Sequence, residues 1–369
     1  MKIKFFITPV YPFGNDHYYH EMIALAEGFE ELNHIVIGNC NYWWQPEKNS
    51  FLINEAIEDN SFDIAIYDYR YVTSFDHLLF RKGYPNFDQS KKHILVDRND
   101  WLQPIWWKNK HYDIFDFIFA GNLYSNINYA KNIRPWAIGL TKRIMNTIDK
   151  YYQNGSKREE LVGYNFRVNH NMRGYVLDNL MGSLKKLPAV DKFTNGEVQG
   201  DVDKHYFKAS TRRHNPEYYK LLCSVRSFMA FGGYYEHKPM RYLPYSILDK
   251  IARKPAFFKY KSHKKSNKDF SDEIFIFQQD NFRFWEVLYS GSIAINIDLE
   301  YWNFKLPVMP KQGLHYLGIK KLKGNDMERT LSKLSSAELE KIGNDGREWV
   351  AQHYSPKAQA QRILSTLKQ

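Results

Sequence analysis

Apolar residues in the first third of this chain fall in short, dense blocks separated by polar or helically spaced stretches. The blocks are Ile3-Lys-Phe-Phe-Ile7, Ile35-Val-Ile37, Asp63-Ile-Ala-Ile-Tyr67, His93-Ile-Leu-Val96 and Phe115-Asp-Phe-Ile-Phe119. Runs this brief, rich in β-branched and aromatic residues, suit strands buried on both faces, and such strands belong to parallel sheets. Between the first two blocks, Tyr19 to Leu32 repeats its apolar positions at helical spacing, and Asn33-His34 ends the repeat. The spacing predicts a β–α–β unit. Its first loop, Pro9 to His17, leaves the carboxyl end of the first strand, the edge at which open α/β sheets bind ligands.

From Lys142 to Glu160 the sequence turns polar, and Asn154-Gly-Ser-Lys-Arg158 is its least foldable part, which places a boundary near residue 155. The pattern then starts again. Leu161 to Val168 reads as a strand, His170-Asn-Met-Arg173 with Gly174 as a basic loop, and Tyr175 to Leu187 as a helix. Pro216 to Val225 reads as a further helix, and Ser227 to Phe231 as a strand ending at Gly232-Gly233. Ser335 and Glu338 form a capping box, with Leu334 and Leu339 placed for a hydrophobic staple, so a helix starts near 336. Ser355 can cap, and Pro356 can open, a last helix running to about Leu367. The expected organisation is an N-terminal α/β unit over 1–154, a second over 155–350, and a terminal helix over 351–369.

Composition narrows this picture. A length of 369 residues suits two domains of ordinary size better than one, and 43% apolar with 25% charged residues marks a globular chain. No apolar run approaches the ~20 residues of a spanning helix. The opening apolar stretch is brief, broken by Thr8 and Pro9 and followed by no small-residue cleavage site, so it reads as a strand rather than a signal peptide. A cytoplasmic location is the expectation, extending to the inner face of the membrane if the basic segment described below meets anionic lipid. Cys40 and Cys223 fall in different halves without partner spacing, against both a disulfide framework and a zinc site. The net charge of +11 is uneven: residues 1–150 hold 16 Lys/Arg and 18 Asp/Glu, and the remainder hold 36 and 23. The second half is the one suited to an anion, whether a nucleoside diphosphate, a membrane face or nucleic acid.

Candidate chemistry concentrates in Asn281-Phe-Arg-Phe-Trp-Glu-Val-Leu-Tyr-Ser-Gly-Ser-Ile-Ala-Ile-Asn296. A helix opening after Gln278-Gln279-Asp280-Asn281 begins with backbone N–H groups that lack helical partners, and Arg283 and Glu286 share one of its faces. A helix start with an arginine suits a diphosphate, and a glutamate suits sugar hydroxyls. A surface ion pair is the plainer use of the same spacing. The segment resembles the donor-domain signature of bacterial glycosyltransferases of the GT-B type: an aromatic or arginine before Trp-Glu, a small-residue turn, then an apolar strand. His353-Tyr-Ser-Pro356 followed by a terminal helix is similar to their ending.

The resemblance implies an α/β fold of two Rossmann-like domains facing across a cleft, with the last helix returning to the N-terminal domain. It implies transfer of a sugar from a nucleotide-activated donor to a saccharide or lipid-linked glycan, as in bacterial surface polysaccharide synthesis. The donor would be held by Arg167, His170, Arg173, Gly232, Gly233, Arg283 and Glu286, without a metal or a cofactor beyond the nucleotide sugar itself. In retaining members of the group 1 type two glutamates stand eight positions apart, the later one matching Glu286. The earlier position is Gln278 here, so inverting and retaining outcomes both stay open.

An inverting transfer needs a base for the acceptor hydroxyl. The loop from Gly14 to His20 brings Asp16, His17 and His20 to the mouth of the first sheet, where Asp16 or His17 can take that proton and Gly14 lets backbone approach a ligand. Capping of the following helix is equally open to Asp16. Asp97-Arg-Asn-Asp100 and Asp298-Leu-Glu300 match a metal motif only in spacing, since acidic residues at strand ends are common turn formers. Tyr42-Trp43-Trp44 and Trp106-Trp107 are either sugar-stacking platforms or core. The segment 250–268 holds eight Lys/Arg and no acid, with Phe257, Phe258 and Tyr260 among them. It suits an anionic membrane, a lipid phosphate or nucleic acid, and equally a solvated loop. Two other function classes therefore stand beside the first: a nucleic-acid or membrane-binding protein without catalysis, and a glycosyltransferase acting on modified DNA. Nucleic acid is the less expected partner.

Overall fold

A computed structural model describes residues 1–8, 18–72, 88–98, 113–153, 158–165, 171–184, 186–191, 198–237, 274–277, 279–321 and 325–368. Gly14, Asp16, His17, Asp100, Trp106, Trp107, Arg167, His170, Gln278 and the basic segment 250–268 lie outside these residues.

The first half runs β1 (Lys2–Phe6), α1 (His20–Glu31), β2 (Ile35–Gly38), β3 (Tyr42–Gln45), β4 (Ser50–Glu55), β5 (Ile64–Asp68), β6 (Lys92–Asp97), β7 (Phe117–Ala120), β8 (Leu123–Tyr124) and β9 (Ile133–Pro135). Its sheet has the order β3-β4-β2-β1-β5-β6-β7-β9, parallel except for the β3–β4 hairpin. Helix α2 (Lys142–Tyr151) then leads to β10 (Glu159–Tyr164), α3 (Asn171–Leu184), β11 (Ala189–Asp191), α4 (Asp201–Ala209), α5 (Pro216–Ser224) and β12 (Val225–Met229). There follow β13 (Tyr234–His237), β14 (Ile274–Phe277), α6 (Phe282–Tyr289), β15 (Ile293–Ile297), β16 (Phe304–Lys305), β17 (Leu317–Ile319) and α7 (Asp326–Leu331). The second sheet is parallel, in the order β11-β10-β12-β15-β17. Every residue of β12 and β15 is buried, as strands covered on both faces require.

The chain closes with α8 (Ser336–Tyr354), which opens on the Ser335–Glu338 capping box, and α9 (Pro356–Thr366), capped by Ser355. Helix α9 returns to the first half. Ala360 and Ile363 belong to the apolar core beneath the first sheet, and a Cβ added at Gly28 of α1 would lie 2.0 Å from the carbonyl oxygen of Pro356. Only glycine lets the two helices approach this closely. A second crossing comes from α4. Tyr206 stacks on Trp43 at 5.6 Å and donates its hydroxyl to Glu47 at 2.6 Å, while His205 Nε2 donates to the Trp44 carbonyl at 3.3 Å. No helix of the described residues is long and apolar enough to cross a membrane.

One open reading is decided and one expectation changes. Tyr42 and Trp43 are core rather than an open sugar platform. They lie in the β3–β4 hairpin, buried against Tyr18, Tyr19 and Tyr206, and the Tyr42 hydroxyl accepts the Tyr19 N–H at 2.8 Å. The residues 171–173 are the first turn of α3 rather than part of a loop. The Asn171 amide fixes that start, donating to the Tyr235 carbonyl at 2.9 Å and accepting the Tyr235 N–H at 3.0 Å.

Candidate functional site

In the second sheet β10 neighbours both β11 and β12, so the strand order reverses direction between β10 and β12. Crevices at such switch points, outside the carboxyl ends of the strands, are where open α/β sheets take ligands. Here the crevice is lined from three sides. Arg173 enters from the first turn of α3, and its Nε donates to the carbonyl of Phe231, just beyond β12. Gly232 and Gly233 follow: a Cβ at Gly232 would lie 2.6 Å from Asn281 Nδ2, and Gly233 has a left-handed φ of 84°. The third side is the start of α6.

Sequence fixes that start firmly. Asn281 is the N-cap, its side chain accepting the Phe284 N–H at 3.3 Å, and its Nδ2 donates to Ala230 and Gln279 carbonyls. Asp280 takes the Trp285 indole N–H on one oxygen at 2.6 Å and the Ile138 N–H on the other at 2.7 Å. Burial nevertheless pushes the Asp280 carboxyl up to about 6. Phe284 and Trp285 are fully buried, worth about 2–3 kcal/mol each in area removed from water, and they hold the helix rigidly on the sheet. Gly291, at a φ of 74°, ends it.

Arg283 and Glu286 share a face of α6 but differ in setting. Arg283 is half-buried over the rings of Tyr218 and Phe228, with Nε donating to the Tyr218 hydroxyl at 3.3 Å. It lies close enough to Arg173 to help burial push that guanidinium down to about 10. Two cations held near each other beside a helix start favour an anion between them. Glu286 is only 6% exposed, and Tyr219 donates to its Oε1 at 3.3 Å. Burial raises its carboxyl above the usual range, against the pull of Arg143 and Arg283.

A buried polar chain joins this helix to the first half. Arg143 of α2 donates from Nη1 to His214 Nδ1 at 2.8 Å and from Nη2 to the Tyr18 hydroxyl at 3.0 Å. Tyr18 in turn bonds His20 Nδ1 at 2.9 Å, and His20 Nε2 lies 3.2 Å from the Gly139 carbonyl. A carbonyl only accepts, so the His20 proton is on Nε2 and Nδ1 accepts from Tyr18. His214 carries its proton on Nε2, facing Asp203 at 2.8 Å. Both rings are neutral: burial first, then neighbouring arginines, hold His20 well below its ordinary range and His214 down at about 4. His20, placed at the cleft mouth by sequence, is fully buried with both nitrogens committed, so it offers no base.

Side chains of the two halves meet across this region. Phe282 of the second half lies 4.8 Å from His20 and 6.1 Å from Tyr18, ring centre to ring centre. The same path over the whole chain occurs in solved structures. The Anabaena protein Alr3699/HepE, crystallised in complex with UDP, matches with a TM-score of 0.50 at 10% identity over 100% of both chains. A glycosyltransferase from Rickettsia africae ESF-5 matches with a TM-score of 0.50 at 12% identity, over 100% of this chain and 97% of that one. The fold is of the GT-B type. No protein-family model matches the sequence, and no curated protein matches it.

Within the GT-B frame, Arg173, Gly232, Gly233 and Arg283 lie together at the switch point of the second sheet, and Glu286 is buried one turn further along α6 against Tyr219. Asp298, weighed as a metal ligand, instead accepts the Tyr301 N–H at 3.0 Å and shapes a turn. The described residues contain no group of three or more His, Cys, Asp or Glu that could hold a metal ion. The polar chain through Arg143, Tyr18 and His214 escapes sequence reasoning, because each member looks like an isolated surface residue of its own element. One signal existed. Arg143 and Thr147 continue the buried stripe of Ile144 and Ile148 around α2, which marks Arg143 as an inward-facing cation.

Proposed function

We propose that the protein transfers a sugar from a nucleoside diphosphate sugar to an acceptor that enters from the first sheet. The observation that carries this is the convergence of Arg173, the Gly232-Gly233 turn and the start of α6 on one switch-point crevice of a GT-B fold. Transfer needs charge stabilisation for the departing nucleoside diphosphate. Two guanidiniums and a helix start aimed at one crevice supply it without a metal, because donors already in place need not reorganise as charge develops. Glu286 sits between Arg283 and the Tyr219 hydroxyl, where its carboxylate can accept from sugar or ribose hydroxyls. Rigid burial of Trp285 holds both residues in register.

The acceptor in this reading is a saccharide or lipid-linked glycan of the kind used in bacterial surface polysaccharide synthesis. Its hydroxyl would lose a proton to Asp16 or His17 if configuration inverts, and the basic 250–268 segment would meet anionic lipid. A panel of nucleoside diphosphates, beginning with the UDP held by the Anabaena protein, tests the donor assignment through thermal stabilisation. One base should raise the melting temperature of the wild type and fail to raise that of Arg283→Ala. A panel without effect, or an equal effect on both proteins, overturns the reading.

A further inference from the structure

Arg98 and Arg213 come from different halves of the chain and meet at one aromatic ring. Arg98 follows β6 at the carboxyl edge of the first sheet, and its guanidinium lies 4.7 Å from the centre of Phe282. Arg213, between α4 and α5, lies 5.4 Å from the same ring and 5.8 Å from that of Tyr18. Arg98 has a counter-charge in the buried Glu21, at 2.8 Å. Arg213 is exposed, and its side chain forms no ion pair among the described residues, Nη1 donating only to the Thr211 hydroxyl. Glu21 and Glu286 act on Arg213 through space without pairing with it; Glu286 accepts from Tyr219, and Asp280 accepts from Ile138 and Trp285.

One carboxylate, Glu21, serves both cations but pairs directly only with Arg98, which leaves the two guanidiniums with an excess of positive charge. The chain presents Arg213 through two consecutive left-handed residues, Thr211 at φ 52° and Arg212 at φ 64°. A β-branched threonine rarely adopts that conformation, and such strain persists where surrounding structure holds a group in place for use. The aromatic ring gives both guanidiniums a flat, weakly hydrating support, and a guanidinium held this way suits the planar oxygens of a phosphate or carboxylate.

We propose that Arg98 and Arg213 form an anion subsite on the acceptor side of the cleft, binding a phosphate or carboxylate group carried by the acceptor. The assignment to the acceptor rests on the donor reading above, which places the nucleoside diphosphate at Arg173 and at Arg283. The Arg283 guanidinium lies over Tyr218 and Phe228 rather than over Phe282. An acceptor bound here would have its anion fixed by both halves of the chain at once, so binding would also hold the cleft closed.

The test is calorimetric, with full-length protein saturated with UDP. Farnesyl diphosphate is the phosphate probe and glucuronic acid the carboxylate probe. At least one should bind, which also tells the two sources of the anion apart. Arg213→Gln should weaken that binding by about tenfold or more, the size of one lost charge-assisted hydrogen bond, and leave UDP affinity as in wild type. Arg98→Lys, which keeps a cation over Glu21 but loses the fork, should act in the same direction. Arg283→Ala should show the reverse pattern. The subsite is overturned if neither probe binds, if Arg213→Gln leaves probe binding unchanged, or if it weakens UDP as much as the probe. Should wild type bind no UDP, the same titrations without nucleotide still decide it: probe binding sensitive to Arg213→Gln sustains the subsite while the donor reading falls.

Discussion

Glu286 stands between two arginines of opposite character. Arg143 is 6% exposed and bonds only neutral groups directly, the Tyr18 and Tyr219 hydroxyls and a neutral His214. Arg283 is half-buried at a helix start, beside a second cation and at the edge of a crevice. Both pull on the same carboxylate. The contrast separates two uses of a guanidinium. One bonds tyrosine and histidine side chains and ties α2, α5 and the segment before α1 together, and the other is, in the proposed function, the cation that meets the leaving diphosphate. A single eight-residue helix, α6, serves both, packing its Trp285 side on the core and turning its first residues to the cleft.

Replacing Arg143 by Met probes the first use and should have the largest effect. It strands three buried hydrogen-bonding partners and leaves Glu286 with less compensation, which should cost about 3 kcal/mol or more in urea denaturation. A loss no larger than that of a surface change would erase the distinction. Arg283→Ala probes the second use. Its stability should stay within about 1 kcal/mol of wild type, while the rate of sugar transfer falls about a hundredfold through lost stabilisation of the leaving diphosphate. A variant that unfolds instead would make Arg283 another structural cation.

Glu286→Gln sharpens the middle ground. The amide oxygen can still accept from Tyr219, so the fold should survive, and a weaker acceptor should reduce nucleotide-sugar affinity by less than Arg283→Ala does. Equal stability loss in Glu286→Gln and Arg143→Met would instead assign Glu286 wholly to the interface.

A pH-dependent effect concerns the same interface at a distance. Glu27 of α1 accepts the Lys142 N–H at 2.7 Å, and burial raises its carboxyl from 4.5 to about 7. Between these values the folded state holds a proton that the unfolded chain has released, so this group's contribution to stability falls as pH rises through the window. Glu27→Gln should therefore melt above wild type when both are measured above pH 7, and level with it near pH 4.5. Parallel melting curves across that range would contradict the assignment.

Much of the framework could be read from the chain. Strands β1, β2, β5, β6, β7, β10, β12 and β15 were short apolar runs, whereas β4, β9, β11 and β17 carry no such pattern, and the ends of α8 and α9 were marked by Ser335–Glu338 and by Ser355-Pro356. Local patterns suffice there because burial and capping are local. The β3–β4 hairpin was missed because Trp43 and Trp44 look like a surface platform until α4 covers them. The polar chain through Arg143 was missed for the same reason: Tyr18, His214 and Tyr219 meet only after the two halves dock. At the candidate site, the arginine and glutamate of α6 were visible from their spacing. Arg98 and Arg213 were not, since no period or motif links two residues so far apart.

Calorimetric titration of the wild type and of Arg283→Ala with UDP-glucose tests the central claim most directly. The account predicts saturable single-site binding by the wild type and a loss of about tenfold or more in the variant, with both proteins equally folded. Undiminished affinity in Arg283→Ala, or no saturable binding of this or any other nucleoside diphosphate sugar by the wild type, would contradict it.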